Sequence, residues 1–326
     1  MVTPSEIQHA AAVLRGGGVV AFPTETVYGL GADAANVAAV AKIYALKGRP
    51  STHPVIVHLA GVEALKDWVL DIPTSADKLA ARFWPGPLTM IMRRASHVLD
   101  AVTGGQDTVA IRVPAHPVAQ ALLRAFGGGV AAPSANRFGR VSATTAAHVR
   151  AEFGAALDCL LDGGECAVGI ESTIVDLSGP RPRLLRPGGV SLAALEDALG
   201  TEVGLPGDGA PRAPGMLKAH YAPGTPLMLV ETALMPTLVR SLVRQEKKLA
   251  VLSFSSLGPP LPGLTWLAAA SEPAGYAHAL YANLRELDAA GAQMIVVERP
   301  PEQAQWLAVL DRLTRAAAGS GAAEAP

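Results

Sequence analysis

The sequence predicts an α/β protein of two domains, and three observations carry that prediction. The chain has 326 residues, more than the roughly 250 that one hydrophobic core organises before chains split. Short apolar runs bounded by Gly and Pro alternate along it with segments of three- and four-residue periodicity, the pattern of interleaved strands and helices. Between two such series lies TEVGLPGDGAPRAPGMLKAHYAPGTP, Thr201–Pro226, dense in Gly and Pro and without apolar periodicity, which reads as an interdomain linker.

The first series begins with Gly18–Phe22, an apolar run between GGG and Pro23 that reads as a buried strand opening into the loop PTETVYGLG. A helix follows: Asp33 can cap it, and Val37, Val40, Tyr44 and the stem of Lys47 line one side until Gly48 and Pro50 end it. Strand Val55–Leu59, helices near Val62–Val69 and Ala76–Phe83, and strands Leu88–Met92 and Val109–Val113 come next, then helix Val118–Phe126 and strand Val130–Ala132. GGGVVAFPT (Gly16–Thr24) and GGGVAAPSA (Gly127–Ala135) echo each other, each running from glycines through a small apolar strand to Pro and a hydroxyl residue. After the linker, strand Leu227–Val230, helix Ala233–Arg244, strand Leu249–Phe254, helix Ala274–Ala289, strand Met294–Val297 and helix Glu302–Ala316 make a small Rossmann-like domain. It lacks a GxGxxG after a strand, so a dinucleotide site there is unsupported. The expected division is 1–204 for the first domain, 205–225 for the linker, 226–318 for the second domain and 319–326 for a tail.

Composition narrows the function. Half of the residues are hydrophobic and 17% charged, and the 33 glycines and 26 prolines follow no repeat, which excludes disordered and collagen-like chains. No apolar run approaches the ~20 residues of a membrane helix and MVTPSEIQHA has no signal core, so a soluble, cytoplasmic protein is expected. Cys159 and Cys166 form no CxxC and indicate neither a disulfide framework nor zinc. A net charge of −1 argues against strong direct tRNA binding and leaves any basic function local.

Familiar catalytic constellations are missing: no HExxH, GxSxG or GxxxxGK[ST] occurs. What remains is a set of cations and hydroxyls in Pro/Gly loops: Lys47 and Arg49 in KGRP, Arg112 in IRVP, Ser134 and Asn136 in PSAN, Ser142 before ATTAAHVRAEF, Ser172 and Thr173 in ESTIVD, and Arg186 in RPGG. Guanidinium forks, a point charge and uncharged hydroxyl donors suit an anion with several phosphate oxygens. Each cation alone reads equally as a solvated surface charge and each hydroxyl as a cap, with Ser142 a good N-cap candidate. Thr24, Glu25 and Thr26 put a carboxylate between two hydroxyls in a loop, with Glu25 a candidate partner for an ammonium or Mg²⁺.

Taken in order, FPTETVYGLGAD, IYALKGRP, FWPGPLT, IRVP, APSAN, ESTIVDL and RPGG resemble the YrdC-domain family of L-threonylcarbamoyladenylate synthases. PGMLKAHYAP followed by an αβ domain is similar to the long, two-domain form. The resemblance implies a twisted mixed sheet with a concave basic cavity, plus the Rossmann-like second domain. It also implies a reaction in which L-threonine and bicarbonate give N-carboxythreonine, whose carboxylate attacks the α-phosphorus of Mg²⁺-bound ATP and expels pyrophosphate. The adenylate would pass to a tRNA threonylcarbamoyltransferase complex, as the first step of threonylcarbamoyladenosine formation in tRNAs reading ANN codons.

By motif, Thr26, His58, Arg112, Ala132 (through its backbone) and Ser172 look like the threonine side. Arg49, His53, Thr108, Ser134, Asn136, Ser142 and Arg186 look like the ATP side, with Tyr221 of HYAP as a flap. Lys47, Arg49 and Arg186 are the cations expected to stabilise the transferring phosphoryl group, and no dedicated metal ligands are assigned. Two positions depart from the pattern, His53 where Asn is frequent and Phe138 where Ser is frequent; His53 can still donate to phosphate, and Phe138 cannot. An RNA-binding module and a carbamoyl-transfer domain are the alternatives. Near-neutral charge with few aromatics counts against the first and the lack of CxxC motifs against the second.

Overall fold

A computed structural model of the chain describes residues 2–207, 209–254 and 263–321. They form two compact units, Met1–Phe138 with Ser142–Met216, and Gly139–Val141 with Leu217–Pro326.

The strands of the first unit are β1 (Val20–Phe22), β2 (Gly29–Asp33), β3 (Ile56–His58), β4 (Leu88–Arg93), β5 (Thr108–Arg112), β6 (Val130–Ala131), β7 (Cys159–Leu160), β8 (Thr173–Asp176) and β9 (Arg183–Arg186). Its helices are α1 (Pro4–Arg15), α2 (Val37–Lys47), α3 (Thr74–Phe83), α4 (Asp100–Thr103), α5 (Pro117–Phe126), α6 (Ala146–Phe153) and α7 (Leu192–Leu199). The strands join one mixed sheet in the order β7-β1-β2-β6-β3-β5-β4-β8-β9. The pairs β1–β7, β3–β5 and β4–β8 run parallel and the others antiparallel. The two echoed segments thus become β1 and β6, each antiparallel to the β2 between them, so both deliver their Pro-hydroxyl loops to one end of the sheet.

Strand β2 occupies residues that the sequence reading placed in a loop. Its glycines explain both the misreading and the fold: a Cβ on Gly31 would lie 2.7 Å from Phe22 and 2.7 Å from Val130, so only a bare backbone lets those side chains from both neighbours cover the strand. Local chemistry sets the helix starts. Thr3 and Glu6 form a reciprocal capping box on α1, and Asn36 caps α2 while Gly48 closes it at φ 62°. Asp33 is not that cap, because its carboxylate accepts the Ala35 N–H (2.9 Å) one step earlier. Likewise Thr145, not Ser142, caps α6.

Alternation splits the sheet's side chains between two faces. Val57, Met90, Ile111 and Val175 join the main core with Ala39, Val40 and Ile43 of α2, Leu79 of α3 and Leu195 of α7. The opposite face carries Ile56, Ile91, Ala110, Ile174 and Leu185, which pack with Ala213 and the partly buried Ala210 and Met216. The segment read as a linker therefore divides: its first part, through Met216, lies against this face. The backbone N–H of Arg212 donates to Gln106 Oε1 (2.6 Å), and Gln106 Nε2 donates to the Arg212 carbonyl (3.1 Å). An apolar strip on a sheet must be covered, and a Pro/Ala loop covers it without any periodicity a sequence pattern could show.

The second unit is a parallel sheet of β10 (Leu227–Val230), β11 (Leu249–Ser253), β12 (Leu264–Ala268) and β13 (Met294–Glu298) in the order β10-β13-β11-β12. Its helices are α8 (Met235–Arg244), α9 (Pro273–Ala289) and α10 (Leu307–Gly319). The half-exposed edge strand β12, with Trp266 42% accessible, lacks the apolar signal of its neighbours and was not anticipated. Gly139–Val141 is held in this unit, with Ala222 N–H donating to Gly139 O (2.8 Å) and Arg285 Nη2 to Val141 O (2.5 Å). Helix α10 runs through Gly319, so the expected tail starts inside it, and residues 322–326 lie outside the described residues. Among the described residues no helix is long and apolar enough to cross a membrane.

Candidate functional site

Thr108, Ala110 and Arg112 of β5 alternate onto the covered face, beside Ile56 and His58 of β3. His58 and Arg112 are register partners. From Thr108 to Arg112 the face runs roughly 13 Å at strand spacing, enough to separate two subsites.

At the Arg112 end the side chains are buried and mutually bonded. Arg112 donates through Nη1 to Thr26 Oγ1 (2.8 Å), through Nη2 to Glu25 Oε1 (2.7 Å) and through Nε to Gly86 O (3.2 Å). Glu25 Oε2 accepts the Ala115 N–H (2.9 Å), so this carboxylate, read from sequence as a partner for an ammonium or Mg²⁺, belongs to Arg112. Burial raises the pKa of Glu25, but the charge and hydrogen bond of Arg112 and the backbone donors outweigh it and hold the carboxyl below its usual range. Thr24 and Thr26 share a hydrogen bond (2.9 Å), and Thr24 Oγ1 ties back to Val27 O (2.6 Å), which shapes the loop between β1 and β2.

His58 is 3% exposed. Burial, then the charge of Arg112, lowers its pKa to about 3 against the opposing pull of Glu25, so the imidazole is neutral. Its Nδ1 is buried without a hydrogen-bond partner, an unmet polar group in a dry place. Ala132 spends its N–H on Ile56 O (2.9 Å).

Ser172 and Arg186 complete this end. Ser172 Oγ shares a hydrogen bond with Thr89 Oγ1 (2.8 Å); Arg186 donates through Nε (3.1 Å) and Nη2 (2.9 Å) to Ser172 O, through Nη2 to Ser172 Oγ (3.1 Å) and through Nη1 to Pro214 O (3.0 Å). Gly188 of RPGG permits the approach, since a Cβ there would sit 2.4 Å from Glu171 O and Thr173 N. Arg186, grouped with the nucleotide residues by motif, is thus bonded to a residue of the threonine group. Thr89 was missed although it lies within FWPGPLT.

The other group gathers around the end of α2. The Lys47 ammonium, 3% exposed, donates to Ser134 O (2.6 Å) and to Asn136 O. Burial and the nearby Arg49 hold its pKa well below the ordinary lysine value, with Glu152 and Glu171 opposing. The ammonium that the sequence reading put on phosphate spends two of its three donors on fastening the PSAN loop. Arg49 Nη2 donates to Pro54 O (2.8 Å), and its guanidinium lies 5.7 Å from the Phe138 ring centre. Asn136 Nδ2 donates to Arg137 O (2.7 Å). Ser142 donates to Glu171 Oε1 (2.6 Å), a carboxylate that sequence reasoning overlooked. Thr108 starts β5 at the far end of the face, paired with Arg93.

Tyr221 belongs to the second unit. There it is buried at φ 60°, with its ring stacked on Tyr281 (5.8 Å between centres) and Arg312 Cζ 5.1 Å from its own ring centre.

Residues 12–188 match the model of the Sua5, YciO and YrdC family, described as telomere recombination, and residues 190–318 match that of the threonylcarbamoyl-AMP synthase C-terminal domain. The chain belongs to the threonylcarbamoyl-AMP synthase family. It is 40% identical to the threonylcarbamoyl-AMP synthase of Pyrococcus abyssi over 95% of this chain and 94% of that one. It is 39% identical to the Bacillus subtilis enzyme over 96% and 93%. The crystal structure of P. abyssi Sua5 complexed with L-threonine superposes with a TM-score of 0.91 at 37% identity, over all of this chain and 98% of that one. As a family member the chain is an enzyme of the nucleotidyltransferase type, and its activity is the synthesis of threonylcarbamoyl-AMP.

Proposed function

We propose that the covered face of the first unit joins L-threonine, bicarbonate and ATP, with the amino acid at the Arg112 end and the nucleotide at the Arg49 end. The observation that carries the assignment is the unpartnered Nδ1 of the neutral, buried His58 beside Arg112. A small polar zwitterion offers the hydrogen bond that His58 lacks, and Thr26, Ser172 and the Ala132 backbone are the accompanying polar groups. Arg49, His53, Thr108, Ser134, Asn136 and Ser142 are assigned to ATP. Lys47 acts by holding the Ser134–Asn136 loop.

Bicarbonate and the threonine amine condense with loss of water to a carbamate. A carboxylate oxygen of the carbamate attacks the α-phosphorus, the bond from that phosphorus to the bridging oxygen breaks, and pyrophosphate leaves with the bond electrons. Arg49 and Arg186 offset the charge that gathers on the phosphoryl oxygens. The donor set does not fit a resident metal: among the described residues no three His, Cys, Asp or Glu side chains group as ligands, Glu25 is given to Arg112 and Glu171 accepts from Ser142. Mg²⁺ is accordingly assigned to the ATP phosphates as their counter-ion. The product is handed to a tRNA threonylcarbamoyltransferase complex for modification of tRNAs reading ANN codons.

Pyrophosphate release from Mg²⁺-ATP should require both L-threonine and bicarbonate. Release indifferent to threonine overturns the proposal.

A further inference from the structure

We infer that Phe138 is a positioning residue of the nucleotide end, where its ring packs against both Arg49 and His53. The inference rests on the assignment of that end to ATP.

The backbone places the ring first. Phe138 N–H donates to the carbonyl of Lys47 (2.8 Å), the last residue of α2, while the Lys47 ammonium reaches back to the carbonyls of Ser134 and Asn136. Segment 134–138 is thus fastened to Lys47 at both its ends, which keeps Phe138 beside the start of the 47–49 segment.

The ring then meets two groups of different chemistry. The Arg49 guanidinium carbon lies 5.7 Å from its centre, inside the range in which an aromatic face attracts a cation. The His53 ring stands 5.5 Å away at 86°, the edge-to-face arrangement that aromatic quadrupoles favour. His53 is anchored independently: its N–H donates to Pro50 O (3.1 Å) and its carbonyl accepts from Tyr44 Oη (2.9 Å). Arg49 is fixed on its other side by Pro54 O. Burial, and then the charges of Arg49 and Arg212, lower the His53 pKa, so a neutral imidazole faces the ring and does not compete with Arg49 for it.

The consequence is pre-organisation. A guanidinium already stacked and hydrogen-bonded loses little further rotamer entropy when an anion arrives, and a ring packed on both groups makes their positions interdependent. The residue with no polar atom to offer a phosphate therefore contributes to nucleotide affinity through its neighbours. His53 and Phe138 are in contact with each other, so neither can be judged singly.

Steady-state kinetics on Phe138→Leu, His53→Asn, the double variant and Phe138→Tyr test this, alongside calorimetric titration of the unmodified protein with Mg²⁺-ATP. Phe138→Leu should raise KM for ATP about three- to tenfold with KM for threonine little changed, and His53→Asn should raise KM for ATP as well. The double variant should fall short of the product of the single effects, because each already breaks the shared packing, and Phe138→Tyr should keep the parent KM. Effects that multiply, an equal rise in KM for threonine, or a Phe138→Tyr variant as impaired as Phe138→Leu overturn the inference while leaving the ATP assignment intact. Failure of the unmodified protein to bind ATP overturns both.

Discussion

His58 offers a sharp test because its predicted behaviour is a number and a sign. The imidazole is buried against Arg112, and its pKa lies at about 3 against an ordinary 6.5. The folded protein therefore keeps His58 neutral, while the unfolded chain takes up a proton near the ordinary value. Its contribution is complete above that value and is lost as pH falls toward 3. The gap corresponds to about 5 kcal/mol in full, of which about 2 kcal/mol is lost between pH 7 and pH 5. Replacing His58 by Asn removes the titrating group, so urea unfolding of the parent should weaken by about 2 kcal/mol more than that of His58→Asn over the same interval. The proton on Cε1, followed by NMR, should show no titration of this ring in the folded protein above about pH 4. A midpoint near 6.5, or parallel pH dependences for parent and variant, would refute the assignment of His58 as a dry, neutral partner for the substrate.

Two further outcomes follow from the buried charges. Glu25→Gln strips Arg112 of its carboxylate inside the protein and should destabilise the first unit by about 3–5 kcal/mol, measured by urea unfolding; since the Glu25 carboxyl is held below its usual range, the parent should also lose this contribution as pH falls below the unfolded carboxyl value, a loss absent from Glu25→Gln. Lys47→Met keeps the stem but removes the donors to Ser134 and Asn136; it should raise KM for ATP and lower kcat together by loosening the loop, whereas unchanged kinetics would remove Lys47 from the site.

The sequence was most legible where periodicity and punctuation agree. The alternating α/β order, the Gly48 stop of α2 and three of the four second-unit strands (β10, β11 and β13) come from local signals that burial later reinforces. It was least legible where a residue's partner is distant in the chain. Strand β2 fails every propensity argument because its glycines serve Phe22 and Val130 from neighbouring strands. Ser142 looks like a helix cap until Glu171 takes its hydroxyl, and Lys47 looks like a phosphate cation until two carbonyls of the PSAN loop claim its ammonium.

By itself the sequence determined the kinds of group available: cations and hydroxyls in Pro/Gly loops without an HExxH, GxSxG or GxxxxGK[ST] constellation, and motifs whose order marks the family. Those follow from composition and spacing, which are local in the chain. Only the tertiary structure decided which protein groups each cation meets. It paired Glu25 with Arg112, dried His58 to neutrality, set Arg186 on Ser172 and brought Phe138 between Arg49 and His53. Each of these depends on burial and on contacts between remote segments, and the free energy of a charge is fixed by its surroundings rather than by its neighbours in sequence.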